Sequence, residues 1–281
     1  MKLRGYARVR VSSSESLLDQ LPEACQLELR APLVRMDRLC GLSVVAVANL
    51  FAQYPSLLRD VSSDEVAVVL GSMLGCHRTD EEYYHSFLNG QPSPRLFAST
   101  LPSSPNGELS ILYRLRGPGL TVTMGSTSGL CALSESLLFL RAQQAAACLV
   151  VAVEVSRPAF SRVPLEDAAV ALWISSDDSG SSLASVAGMA ESFYAGHAAD
   201  ALQEALASLR ASGDAVVVCD EESAQIGASS LQNRRVCAVS TPPGAVAGLW
   251  ALGDALNGPE SSFVLAGLDP SGHAVSTLLT R

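Results

Sequence analysis

Short, nearly unbroken apolar runs alternate along this chain with longer segments of helical apolar spacing, and that alternation leaves few architectures open. Residues 66–70, 149–155, 168–174 and 215–219 read as strands buried on both faces, and 120–124 has strand character. Between them, 35–54, 130–147, 198–211 and 245–256 read as helices, 106–116 is mixed, and two short strands close the chain. The 198–211 helix is the clearest, with Ala198, Ala201, Leu202, Ala205, Leu206 and Leu209 on one face and Gly213 as its stop. Strands alternating with helices predict a layered α/β fold. The order of elements repeats, which predicts two related halves, 1–155 and 156–281, fused into one body. The turn-rich SDDSGSS at 176–182 is punctuation within that body.

Composition narrows the function. Of 281 residues, 48% are hydrophobic and 17% charged, so the chain can bury a large core. Its 28 acidic and 19 basic residues give a net charge of -9, which disfavours a nucleic-acid partner. Neither a signal-peptide apolar core nor about 18 consecutive apolar residues is present, so a cytoplasmic location without a membrane span is expected. The seven cysteines form an odd set without a C-x-x-C pair, which predicts small buried hydrophobes and no metal site. No cofactor motif is apparent. Cys76-His77 reads as a chance adjacency.

The most unusual stretch is RLRGPGLTVTMGSTSGL, residues 114–130. A short strand runs through a Gly and hydroxyl turn into a buried helix, placing Ser126 at the helix N-terminus, where free N–H groups favour developing negative charge. From spacing alone the simpler reading is that Ser126, Thr127 and Ser128 cap the helix. The sequence GSTSG is not a nucleophile elbow, because no serine occupies the centre of G-x-S-x-G.

With these residues the chain resembles the β-ketoacyl synthases of the thiolase superfamily. Ser93-Pro94-Arg95-Leu96-Phe97 matches S-P-x-x-F, Gly107-Glu108-Leu109 matches G-x-L/I, Leu115-Arg116-Gly117-Pro118 matches L-R-G-P, and the stretch through Gly125-Ser126-Thr127-Ser128-Gly129-Leu130 matches T-A-C-x-S-G-L/V. Arg35-Met36-Asp37-Arg38, Glu135, Glu154 and the 166–172 run EDAAVAL add to the match, which is clear from about 35 to 174 and thins afterwards. The resemblance implies the five-layer αβαβα thiolase fold, shortened in the second half.

The departures from the family carry the functional expectation. Ser126 stands where the family has its nucleophilic cysteine, and a serine needs an adjacent base. Where the family has H-G-T-G-T this chain has Asp220-Glu221-Glu222-Ser223-Ala224, and where it has K-x-x-x-G-H this chain has Val239-Ser240-Thr241-Pro242-Pro243-Gly244-Ala245. The family's G-F-G-G oxyanion loop becomes Gly267-Leu268-Asp269-Pro270-Ser271-Gly272-His273, and proline cannot donate a backbone hydrogen bond. Of the four histidines, His77, His85 and His197 read as surface or local structural residues, and His273 alone lies near the expected site.

A ketosynthase-like chain without its catalytic set resembles the chain-length factors, and its length is closest to the short ketosynthase-like subunits of aryl-polyene-type clusters. The resemblance implies a heterodimer with an active β-ketoacyl synthase, whose acyl tunnel this chain shapes in polyketide, polyene or fatty-acid-type biosynthesis. Leu120, Val122 and Met124 would then lie at the subunit interface, and Leu96 and Phe97 would form either a cross-subunit wall or ordinary interface packing. Contact with an acidic acyl carrier protein would run through the partner. Two other readings stay open: a serine-dependent acyltransferase or decarboxylase using Ser126, and a non-catalytic scaffold homodimer.

Overall fold

Among the described residues, ten strands form one sheet whose order separates into two sets of five. The computed structural model describes residues 1–156, 167–177, 180–209, 215–242 and 244–281. The first set, β1 (Lys2–Val11), β2 (Val66–Gly71), β3 (Gly119–Val122), β4 (Ala147–Glu154) and β5 (Asp167–Ser175), lies in the order β3-β2-β4-β5-β1. The second, β6 (Ala184–Phe193), β7 (Val216–Asp220), β8 (Val236–Val239), β9 (Ser262–Asp269) and β10 (His273–Thr280), lies in the order β8-β7-β9-β10-β6. Adding five to each number turns the first order into the second. The directions match as well: β2 is parallel to β3 and β4, as β7 is to β8 and β9, and β4 and β9 are antiparallel to β5 and β10. The two sets join where Lys2 pairs with Ser185 and Leu3 with Ala184.

The helices are α1 (Glu23–Arg35), α2 (Arg38–Gln53), α3 (His77–Leu88), α4 (Pro94–Phe97), α5 (Ser104–Tyr113), α6 (Ser128–Arg141), α7 (Ala198–Ser208), α8 (Glu221–Ile226), α9 (Ala228–Leu231) and α10 (Ala247–Asn257). They complete five layers. Along β4, Ala147, Leu149, Val151 and Val153 face an outer core with α1, α2 and α5, while Cys148, Val150 and Ala152 face a central core with α6 and α10. Period-two alternation is hidden in the sequence because both faces are buried. In the second set, Phe263 and Leu265 turn to the central core, and Val264, Ala266 and Leu268 to an outer one under α7 and α9. Helices α6 and α10 are apolar on most of their surface because they lie between the two five-stranded parts of the sheet.

Local chemistry fixes the boundaries. Asp37 caps α2 through the Cys40 N–H and also accepts from Thr79 Oγ1 at 2.6 Å, so the helix expected from residue 35 begins at Arg38. Arg38 donates to the buried Asp167 and to the carbonyls of Ser12 and Glu15, and Asp167 accepts the Ser156 N–H. The 106–116 segment is helical as α5, and three strands, β1, β6 and β8, lie where no strand was expected. Gly213, Pro243, Glu166, the end of the expected 198–211 helix and residues 178–179 of the SDDSGSS turn lie outside the described residues. Five cysteines are buried, Cys25 is half-buried, Cys237 is exposed, and none is paired. Among the described residues, no helix is long and apolar enough to cross a membrane.

Candidate functional site

The turn after β3 brings both halves together. Gly125 has φ +60°, and a Cβ there would overlap the Asp269 carboxylate, so glycine lets the β9–β10 hairpin close on the turn. Asp269 Oδ2 accepts the Ser126 N–H at 2.9 Å and the Ser126 hydroxyl lies 3.1 Å from it, while the same hydroxyl donates to the Leu268 carbonyl at 2.9 Å. This corrects the capping reading. Helix α6 starts at Ser128, two residues later, and no side chain caps it. Thr127 Oγ1 instead donates to the Met124 carbonyl, and Ser128 Oγ donates to the Gly125 carbonyl while accepting the Met124 N–H. Ser126 is therefore tied across to the second half of the chain.

Partial burial pushes the Asp269 carboxyl up, but hydrogen bonds from the Ser271 hydroxyl and N–H and from the Ser126 N–H and hydroxyl outweigh it, leaving Asp269 below the usual carboxylate range. A carboxylate so stabilised is a weak base toward a serine hydroxyl. The remainder of the expected loop is a tight hairpin: Gly272 donates its N–H to the Asp269 carbonyl at 2.9 Å, with Pro270 and Ser271 in the turn. Gly267 lies within β9 against Leu130, and a Cβ on Gly272 would collide with the Tyr194 carbonyl.

A cleft of about 160 Å³ lies in front of Ser126, lined by Asp220, Glu221, Glu222, Thr241, Gly244 and Ala247. The segments that depart from the family's histidine motifs thus converge on the serine, the first bringing carboxylates and the second Thr241 and Gly244. Asp220 spends its oxygens on the Ser223 N–H and hydroxyl, capping α8, whereas Glu221 and Glu222 are exposed. Beneath the cleft, Glu154 at the end of β4 accepts the N–H groups of Met73 at 2.9 Å, Leu74 at 3.1 Å and Ala245 at 3.4 Å. Burial pushes its carboxyl up to about 7 against the opposing pull of those three donors.

His273, the first residue of β10, is buried behind the turn, with Nδ1 2.8 Å from Thr127 Oγ1. Its ring also lies near Cys131 and Glu191. His77, His85 and His197 are exposed. Leu96 lies on α4, which packs against α3 with the Phe97 and Tyr83 rings 5.4 Å apart. Strand β3 is one end of the sheet. Leu120 and Val122 pack partly into the central core, and Met124 is exposed. The structure thus joins Ser126 to Asp269 but puts Leu96 and Phe97 in a separate place on the surface.

Known proteins match this fold. The family model described as β-ketoacyl synthase, N-terminal domain, matches residues 22–185. This chain belongs to the β-ketoacyl synthase family. The match takes in α1 to β5, including Ser126 and Glu154, and the likeness of fold extends over both halves. The ishigamide ketosynthase/chain length factor superposes with a TM-score of 0.77 at 19% identity, covering 99% of this chain and 98% of that one. A type II PKS acyl-carrier protein in complex with its ketosynthase, AntDE:AntF, matches with a TM-score of 0.76 at 12% identity, over 99% and 98% of the two chains. A β-ketoacyl synthase from Burkholderia phymatum matches with a TM-score of 0.72 at 14% identity, over 99% and 92%. The thiolase-like ketosynthase fold expected from the sequence is the one this family member has.

Proposed function

We propose that this β-ketoacyl synthase family member is the non-condensing subunit of a ketosynthase heterodimer, a chain-length factor that shapes the acyl tunnel of an active partner. The observation that carries this reading is the cleft at Ser126. Its hydroxyl is engaged by Asp269 and Leu268, and the ionisable residues lining the cleft, Asp220, Glu221 and Glu222, are all acidic. Condensation also needs hydrogen-bond donors or cations that hold a malonyl carboxylate, and the acidic side of this cleft repels one. Ester formation at Ser126 has Asp269 as its candidate base, and the hydrogen bonds that depress Asp269 weaken that alternative.

The open edge supports a partner. Strand β3 has β2 on one side and no strand on the other among the described residues. Helices α5 and α6 flank it and carry exposed Ile111 and Leu138, with Met124 beyond the strand. An edge surrounded by exposed apolar side chains favours pairing with a second sheet, and a ketosynthase partner of the same fold offers a matching strand. Leu96 and Phe97 are the candidates for contact with the partner's tunnel.

The test is co-expression with a cysteine-containing ketosynthase from the same cells, followed by purification and sizing of the complex. A stable one-to-one complex is the expected result. A homodimer that excludes the ketosynthase would overturn the reading in favour of a scaffold.

A further inference from the structure

Next to the serine turn, three potential metal ligands from three elements converge. Cys131 lies one helical turn beyond Thr127 on α6, Glu191 is on β6 and His273 begins β10. The ligand atoms of the three residues all lie within 4.8 Å of one another. His273 Nε2 is 3.8 Å from Glu191 Oε2, and Cys131 Sγ approaches the same ring from the side of its other nitrogen, 3.9 Å from Nδ1.

Hydrogen-bond accounting defines the histidine. The single hydroxyl proton of Thr127 goes to the Met124 carbonyl at 2.7 Å, so at 2.8 Å from His273 Thr127 can only accept. His273 therefore carries a proton on Nδ1. In the neutral ring the unprotonated Nε2 then lies 3.8 Å from a Glu191 carboxylate oxygen, a pair of acceptors that a proton or a metal cation between them would stabilise. The Nδ1–H bond to Thr127 is the arrangement that orients a metal-binding imidazole.

We propose that Cys131, His273 and Glu191 form a binding site for a divalent ion of the zinc class. Sulfur and imidazole nitrogen favour such an ion over magnesium or calcium. A thiolate and a carboxylate neutralise its two charges, which suits a site where Cys131 and His273 are buried. Glu191, with 37% of its side chain exposed, opens the site to solvent and leaves room for water as a fourth ligand. Tetrahedral zinc distances of about 2.0–2.3 Å require the three side chains to close by roughly 1 Å. Binding displaces the Cys131 thiol proton to solvent. Without a metal the thiol is held protonated, pushed up to about 12 by burial and by the nearby Glu191 charge, so a free thiolate nucleophile is disfavoured. The ion would link α6 of the first half to β6 and β10 of the second.

The experiment is titration of the full chain with Co²⁺ as a spectroscopic probe, then competition with Zn²⁺. One equivalent of Co²⁺ should bind with a near-ultraviolet thiolate-to-cobalt band, release a proton and be displaced by Zn²⁺. Cys131→Ser should abolish the band, and Glu191→Gln, at an exposed position that leaves the core intact, should weaken affinity at least tenfold. Cys237→Ser, which removes the exposed thiol, should leave the band unchanged. A missing band in the wild-type chain, or unchanged binding in Glu191→Gln, overturns the site even if Cys131→Ser fails to fold.

Discussion

Strands β4 and β9 occupy equivalent places in the two halves, and each ends in a carboxylate that reaches across to the opposite half. Glu154, ending β4, accepts the Ala245 N–H just before α10, and Asp269, ending β9, accepts the Ser126 N–H just before α6. Their protonation behaviour is opposite. Glu154 is buried among backbone donors and is pushed up to about 7, whereas half-exposed Asp269 gathers Ser126 and Ser271 and is held below its usual range. One topological position has thus become a buried brace in the first half and the anchor of the serine turn in the second. Burial and donor number set the sign of the shift, and the position alone does not.

The largest effect is expected where the halves touch. A Cβ at Gly129 would lie 2.2 Å from the Ala245 carbonyl oxygen and 3.0 Å from Ala152 Cβ, so Gly129→Ala should wedge α6 away from the turn that Glu154 holds. A loss of about 3 kcal/mol or more in denaturant unfolding is expected. Next comes the buried brace. Because the folded pKa of Glu154 is raised, its protonated form favours the native state below about pH 4.5, and that contribution is lost as pH rises through about 7. Wild type should lose about 3 kcal/mol relative to Glu154→Gln over this window, measured by unfolding at each pH.

The Asp269 side of the comparison should respond less and with the opposite slope. Asp269→Ala should cost about 1 kcal/mol, and the wild-type contribution should be present above about pH 4 and lost as pH falls. Ser126→Ala is the smallest change, below about 1 kcal/mol, since the backbone N–H to Asp269 remains. In the proposed heterodimer the same variant should leave product formation unchanged.

The features that define the site were legible where they are local in sequence. The Ser126 turn, the acidic replacement at 220–222 and the Asp269-Pro270 hairpin each stand in a short motif. Their partnership was not legible, because Ser126 and Asp269 meet only when the β9–β10 hairpin packs on the turn before α6. The same holds for Cys131, Glu191 and His273, which come from one helix and two strands of the opposite half. Strand β1 was legible and missed: Leu3, Gly5, Ala7, Val9 and Val11 alternate with polar or half-buried neighbours, the pattern of a strand with two unlike faces. Strand β8 gave a weaker signal, four residues at an exposed edge. The two halves share strand order and sense, which sequence similarity between them did not reveal.

The most direct test of the non-condensing reading is intact mass of both subunits after the purified heterodimer is incubated with an acyl carrier protein thioester. The account expects an acyl mass increment on the partner, located at its cysteine, and none on this chain. An increment on this chain, mapped to Ser126 and lost in Ser126→Ala, would contradict it.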